Sequence, residues 1–159
     1  MKHPERIELA PGYSISRIIT GLWQVADIEK EDGSMDLGPA ASALVDYAES
    51  GFDTFDMADH YGSAELIAGH ARRKMQEHDS ANGPSSQARF HTKWCPKPGE
   101  MTPQKVREGV LLSAERLDME QIDLMQFHWW NYEHPQYLDA MEGLQVLKAE
   151  GIIRHLGLT

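Results

Sequence analysis

Four short apolar segments recur at a near-constant interval along the chain, and that interval limits the fold more than any other feature. "FDTFDMA" (52–58), "ARFHTKW" (88–94), "IDLMQFHWW" (122–130) and "IIRHLGLT" (152–159) read as strands. Their starts lie roughly 30–36 residues apart, the length of one strand-plus-helix unit. Helical patterns fill the intervals. "GPAASALVDYAESG" (38–51) sets Ala41, Leu44, Val45 and Ala48 on one face and ends at Gly51, suited to a left-handed cap. "SAELIAGHARRKMQ" (63–76) places Ser63 as N-cap and Leu66, Ile67, His70 and Ala71 along one face. "TPQKVREGVLLSAERLD" (102–118) opens with a capping threonine and a proline at the first helical position, and "PQYLDAMEGLQVLKAEG" (135–151) stops at Gly151. Helices between successive strands force parallel pairing, because a parallel connection needs a long crossover.

Upstream, "YSISRIITGLWQV" (13–25) reads as a first core strand, and "RIELAPGYSISRI" as a hairpin turning at Pro11-Gly12. Acidic "DIEKEDGSMD" (27–36) and "EHDSANGPSSQ" (77–87) read as solvated connectors; the first is also placed to cover a site. An eight-fold β/α barrel takes about 250 residues, so these 159 amount to slightly over half of one. The competing open doubly wound sheet wants a glycine-rich fingerprint after strand one when it binds dinucleotides. "GLWQVADIEKEDG" stands there instead. The expected fold is therefore α/β: a partial (β/α)8 TIM barrel of about five parallel strands and four intervening helices, with an N-terminal hairpin. Residues 1–159 form its N-terminal part, with the C-terminal half absent.

Charge and cysteine use narrow the partners. The net charge of −10 disfavours nucleic acid and anionic membrane. No apolar run approaches the roughly 20 residues that span a bilayer, and the N-terminus lacks the apolar segment of a secretory signal. The single cysteine, Cys95, forms no internal disulfide, which fits a reducing, cytoplasmic location. Small molecules and proteins remain.

The unusual residues collect at strand ends. Trp23 ends the first strand, Asp56, Asp59 and Tyr61 the second, Lys93 and Trp94 the third, and His128, Trp129 and Trp130 the fourth. In β/α barrels this rim carries the site. Each residue alone has a plainer reading: a surface tyrosine, a snorkelling lysine, a core histidine bonded to a carbonyl. Asp56 resists one, since a carboxylate inside a strand needs a partner, and Lys93 is one strand away. A phenol is a poor acid at neutral pH unless a nearby ammonium favours phenolate. Lys93 would supply that charge, Asp56 would orient Lys93, and His128 would donate to a substrate oxygen or tune Tyr61. Such a set suits carbonyl reduction, where hydride transfer leaves an oxygen to be stabilised and protonated. Trp23, Trp94, Trp129 and Trp130 would wall the substrate pocket.

The chain resembles the N-terminal half of the aldo-keto reductase family. "GFDTFDMADHYGSAE" is similar to its Gly-x-x-x-x-Asp-x-Ala-x-x-Tyr-Gly-x-Glu signature, "ISRIITGLWQV" to its first strand, "FHTKW" to its lysine strand and "IDLMQFHWW" to its histidine strand. "LGLT" resembles the start of its Gly-x-Ser-Asn segment. The resemblance implies a catalytic tetrad of Asp56, Tyr61, Lys93 and His128. It also implies NADP(H)-dependent reduction of an aldehyde or ketone, with Tyr61 as general acid. Gly21, Leu22 and Trp23, with Asp56, match contacts near nicotinamide, and Thr159 stands where the family has serine. Most cofactor contacts in the family come from the second half of the barrel, so low activity of this length of chain is expected. Open outer strands invite self-association or pairing with a C-terminal half. Two alternatives remain: a non-catalytic member that binds cofactor or protein, and a metal-dependent barrel hydrolase suggested by eight histidines. The second lacks the His-x-His pair expected on a first strand. Cys95, two residues past Lys93, is either a reactive thiolate beside a cation or an inert small residue.

Overall fold

The computed structural model describes residues 3–26, 36–82 and 88–159. An antiparallel hairpin of β1 (Arg6–Ala10) and β2 (Tyr13–Ser16) precedes a five-stranded sheet of β3 (Thr20–Gly21), β4 (Thr54–Asp56), β5 (Arg89–Trp94), β6 (Ile122–Phe127) and β7 (Ile153–Leu158). The five strands pair in chain order and all pairs are parallel. Helices α1 (Leu37–Glu49), α2 (Ala64–Asn82), α3 (Pro103–Leu117) and α4 (Tyr137–Ala149) make the crossovers. This is a partial β/α barrel, as the strand interval implies.

Local chemistry explains most boundaries. The Thr102 hydroxyl accepts the Lys105 N–H at 3.2 Å, and Pro103 opens α3. Gly51 adopts φ 88° just past α1, a conformation costly for residues with a Cβ. Three expectations are corrected. Residues 13–25 are not one strand: Tyr13–Ser16 fold back on β1 through the Pro11-Gly12 turn, and Thr20–Gly21 alone join the sheet. Residues 77–82 continue α2 and are not a connector. The buried face of that helix runs through Ala64, Ile67, Ala68, Ala71 and Met75, which leaves Leu66 out of phase and exposed. Residues 27–35 and 83–87, the remainder of the two acidic or polar connectors, lie outside the described residues.

Side chains alternate across the sheet. Phe55, Phe90, Trp94, Met125, Phe127 and Trp129 point to the helices and are buried there, with Phe55 stacked on Phe90 at 5.5 Å. Asp56, His91, Leu124, Gln126 and His155 line the concave side, where a cleft of about 500 Å³ opens. The two-residue period of a strand thus gives helix packing and cleft chemistry to different positions.

The hairpin closes the N-terminal end of the sheet. Tyr13 is fully buried and its hydroxyl lies 2.8 Å from His91 Nε2. Arg6 meets Asp53 at 2.6 Å, and the Ser16 N–H donates to the Thr54 hydroxyl at 2.9 Å. Burial, opposed by Asp56 and aided by the Lys93 and Arg89 cations and the His155 ring, pushes His91 down to about 4. Between the ordinary value of 6.5 and that level the unfolded chain holds a proton that the folded chain does not. Stability is therefore expected to fall by about 3 kcal/mol as pH drops across this window. Glu65 and Asp123, whose carboxyls burial raises, contribute with the opposite sign. The comparison is accordingly between the protein and its His91→Asn variant in denaturant titrations from pH 7 to 4. Parallel stability curves for the two would sink the assignment.

Candidate active site

The carboxylate at the end of β4 is bonded on both oxygens. Lys93 Nζ, from β5, lies 2.5 Å from Asp56 Oδ2, and Gln126 Nε2, from β6, donates to Oδ1 at 3.1 Å. The ammonium also donates to the Met57 carbonyl at 2.9 Å and is almost fully buried. Parallel register creates this meeting. Asp56 pairs with His91, which puts Lys93 two positions further along β5 on the same face; Lys93 in turn pairs with Gln126. A charge so placed is held by a carboxylate and a carbonyl acceptor.

Tyr61 follows in the loop between β4 and α2. Lys93 Nζ sits 5.1 Å from the centre of its ring, within range of a cation–π attraction. Trp23 packs edge-on to the same ring at 4.6 Å, and His60 does so at 4.9 Å. The His60 Nδ1 lies 2.9 Å from Asp59 Oδ1. On β6's side, the His128 N–H donates to the Trp94 carbonyl, and the His128 ring stacks on exposed Trp130 at 4.1 Å. Burial first, then the neighbouring His60 ring and the Lys93 ammonium, lower the affinity of His128 for a proton, with Asp59 opposing. The imidazole is thereby kept in its neutral form at pH 7. Its Nδ1 is shielded from solvent and meets no hydrogen-bonding group among the described residues.

Asp56, Tyr61 and Lys93 thus come together, and His128 lies close enough for Lys93 to bias its titration. Trp23 borders Tyr61. Trp94 and Trp129 do not border the cleft, which corrects their reading as pocket walls. Each directly follows an inward-facing residue, so strand alternation turns it outward. Trp94 packs on Gly109 of α3 and on Phe127, and Trp129 on Phe127 and Tyr137 of α4. Leu22 is fully buried in the core, and its N–H and C=O already bond Asp56 and Ala26. Gly21 is exposed, pairs in register with Asp56, and has nothing within 4 Å of where a Cβ would stand. Thr159 continues the line of β7, its N–H on the Phe127 carbonyl.

Residues not singled out from sequence also shape this end. Gln126 completes the Asp56 shell, and Glu65 and Arg116 meet behind the Tyr61 loop. Gln126 had one signal: an amide two positions before His128 and so in phase with it on the strand. The Cys95 thiol accepts the Trp130 indole N–H at 2.9 Å, and burial raises its titration. A thiol so placed is protonated at neutral pH, in line with the inert reading. Among the described residues no group of three or more His, Cys, Asp or Glu is arranged to hold a metal ion, and no helix is long and apolar enough to cross a membrane.

Comparison with known proteins gives the family and the fold. Residues 17–159 match the family model described as "Aldo/keto reductase family". An NADH-specific methylglyoxal reductase of Escherichia coli K12 is 26% identical, matched over 91% of this chain and 48% of its own length. A methylglyoxal reductase of E. coli O157:H7 is also 26% identical, over 99% and 50%. The chain thus spans about half the length of these curated relatives. A putative aldo-keto reductase structure from Pseudomonas aeruginosa superposes with TM-score 0.75 at 22% identity, over 99% of this chain and 60% of that one. A Bombyx mori aldo-keto reductase in complex with NADP gives 0.72 at 21%, over 99% and 51%. The chain belongs to the aldo/keto reductase family, an oxidoreductase family.

Proposed function

We propose that this chain carries the proton-transfer half of an NADP(H)-dependent reductase of aldehydes or ketones, with Tyr61 as general acid. The observation that carries the reading is the chain of contacts from Asp56 through Lys93 to the Tyr61 ring. The Lys93 ammonium, its orientation fixed by Asp56 and the Met57 carbonyl, stands beside the group that must release a proton. A fixed positive charge there would stabilise the negative charge that develops on the phenol oxygen as the proton leaves. His128, held neutral, is suited to donate a hydrogen bond to a substrate oxygen near Tyr61. Trp23 and Trp130 offer apolar surface on either side of that position.

The strand-end residues fit a nicotinamide. Open space over Gly21, next to Asp56, leaves room for a flat ring, and Trp23, Asp56 and Thr159 are the further residues that would hold it. When bound, the dinucleotide supplies the hydride. The rest of its grip, and the substrate-selecting loops, would come from residues outside these 159. The lone Cys95 supports a cytoplasmic, reducing setting.

The test is oxidation of NADPH and of NADH that depends on added methylglyoxal or an aromatic aldehyde. Tyr61→Phe is expected to lower it by about 10³-fold with cofactor affinity retained. Equal rates in the variant would sink the reading. Cofactor binding without turnover in the unsubstituted protein would favour the non-catalytic alternative.

A further inference from the structure

In the loop that carries Tyr61, four ties converge on one residue, Asp59. Its N–H donates to the Lys93 carbonyl at 2.9 Å, its Oδ2 accepts the Cys95 N–H at 3.1 Å, and its Oδ1 holds His60. Those ties come from the loop itself or from the end of β5. The fourth comes from a different layer. Arg116 Nη1, in the last turn of α3, donates to the Asp59 carbonyl at 3.1 Å.

The same guanidinium nitrogen lies 3.3 Å from Glu65 Oε2 in the first turn of α2. Glu65 is 2% exposed, and its Oε1 accepts the Thr92 hydroxyl of β5 at 2.6 Å. Two helices, a central strand and the Tyr61 loop therefore meet at one ion pair. A carboxylate buried this deeply gains little net stability from its partner, because desolvation offsets the attraction; apolar residues of similar size would do as well or better. What the pair supplies that apolar residues would not is a directed hydrogen bond to the loop. Arginine suits this, since its planar fork fixes direction and its charge is permanent. The α-carbon of Gly69 lets α2 approach the Arg116 carbonyl, which sets the guanidinium within reach of both acceptors.

We infer that Arg116, anchored by Glu65, is a positioning residue that fixes the Asp59–Tyr61 loop so that the phenol stays over Lys93. The inference rests on the reductase reading for its kinetic consequence and on nothing but geometry for its structural one. Misplacing a reacting group by about 1 Å can cost about 10²-fold in rate.

The experiment compares Arg116→Ala, Arg116→Lys and Glu65→Gln with the unsubstituted protein. Amide hydrogen exchange is followed in segment 57–63 and, as internal control, in segment 105–112 of α3. The expected result is exchange about tenfold faster in 57–63 with 105–112 unchanged. With it, kcat for carbonyl reduction falls by about 10²-fold while KM stays within about threefold. Arg116→Lys recovers part of both, and added ethylguanidinium restores part of kcat in Arg116→Ala. If Arg116→Ala does not fold, Glu65→Gln, which keeps the shape and an acceptor for Thr92, carries the same comparison. Loosening of both segments together, loosening of neither, or loosening of 57–63 with unchanged kcat each overturns the inference. Where the unsubstituted protein reduces no carbonyl, the reductase reading fails separately, and the exchange pattern alone decides on Arg116.

Discussion

Lys93→Met is expected to slow carbonyl reduction by at least about 100-fold and to remove about 2 kcal/mol of stability. The rate falls because the cation beside the phenol is gone, and the phenolate formed on proton release loses its stabilising neighbour. Stability falls because Asp56 keeps its charge without its 2.5 Å partner, and the Met57 carbonyl loses a donor. The Asp56 side chain is 31% exposed, which places the cost below the roughly 3–5 kcal/mol of a fully buried broken pair. In a chain of this size about 2 kcal/mol lowers Tm by about 4–8 °C. The double variant Lys93→Met/Asp56→Asn separates the two roles. An amide at position 56 keeps an acceptor for Gln126 and removes the stranded charge, so most of the lost Tm returns while the rate does not. Recovery of the rate in the double variant would mean that Lys93 only neutralises Asp56. Thermal melts at pH 7 and steady-state rates provide both readings.

Gly69→Ala is the substitution expected to damage the fold most. A Cβ there would overlap the Arg116 carbonyl and lie 3.1 Å from the Leu117 carbonyl carbon, both main-chain atoms with no rotamer to yield. Helix α3 would have to move off α2. Overpacking of this kind costs about 1–3 kcal/mol when side chains can adjust, and more when backbone must shift. The gain in helix propensity from glycine to alanine returns only about 1 kcal/mol. A net loss of about 3 kcal/mol lowers Tm by about 6–12 °C. Gly21→Ala, with nothing within 4 Å of the added methyl, is the matched control for stability and should leave Tm unchanged. An unchanged Tm in Gly69→Ala would show that the two helices are not in fact packed so closely.

Much of this arrangement was legible in the residue order, and the exceptions have physical causes. The interval between strands predicted parallel pairing because crossovers leave no alternative, and β4 to β7 follow it. The Thr102-Pro103 start of α3 was legible because capping is local chemistry. The span 13–25 was misread because its apolar run continues across a break. Pairing with β1, set by a turn several residues earlier, decides where the strand stops. Trp94 and Trp129 were misassigned although the signal was present. If Lys93 and His128 face inward, their immediate neighbours cannot. The meeting of Glu65 with Arg116 was not legible at all. It depends on the angle and distance at which two helices dock, and those follow from the absence of a side chain at position 69. Only the presence of a glutamate on the apolar face of α2, among Ala64, Ile67 and Ala68, hinted that a partner was waiting.

The in-and-out alternation of β4, β5 and β6 has a consequence for how such a chain can diversify. Residues that face the cleft and residues that hold the layers together occupy interleaved but separate positions, so a change on the cleft side need not be compensated in the shell beneath. Trp130, stacked on His128 yet 70% exposed, is where such drift would begin with least harm to the folded chain.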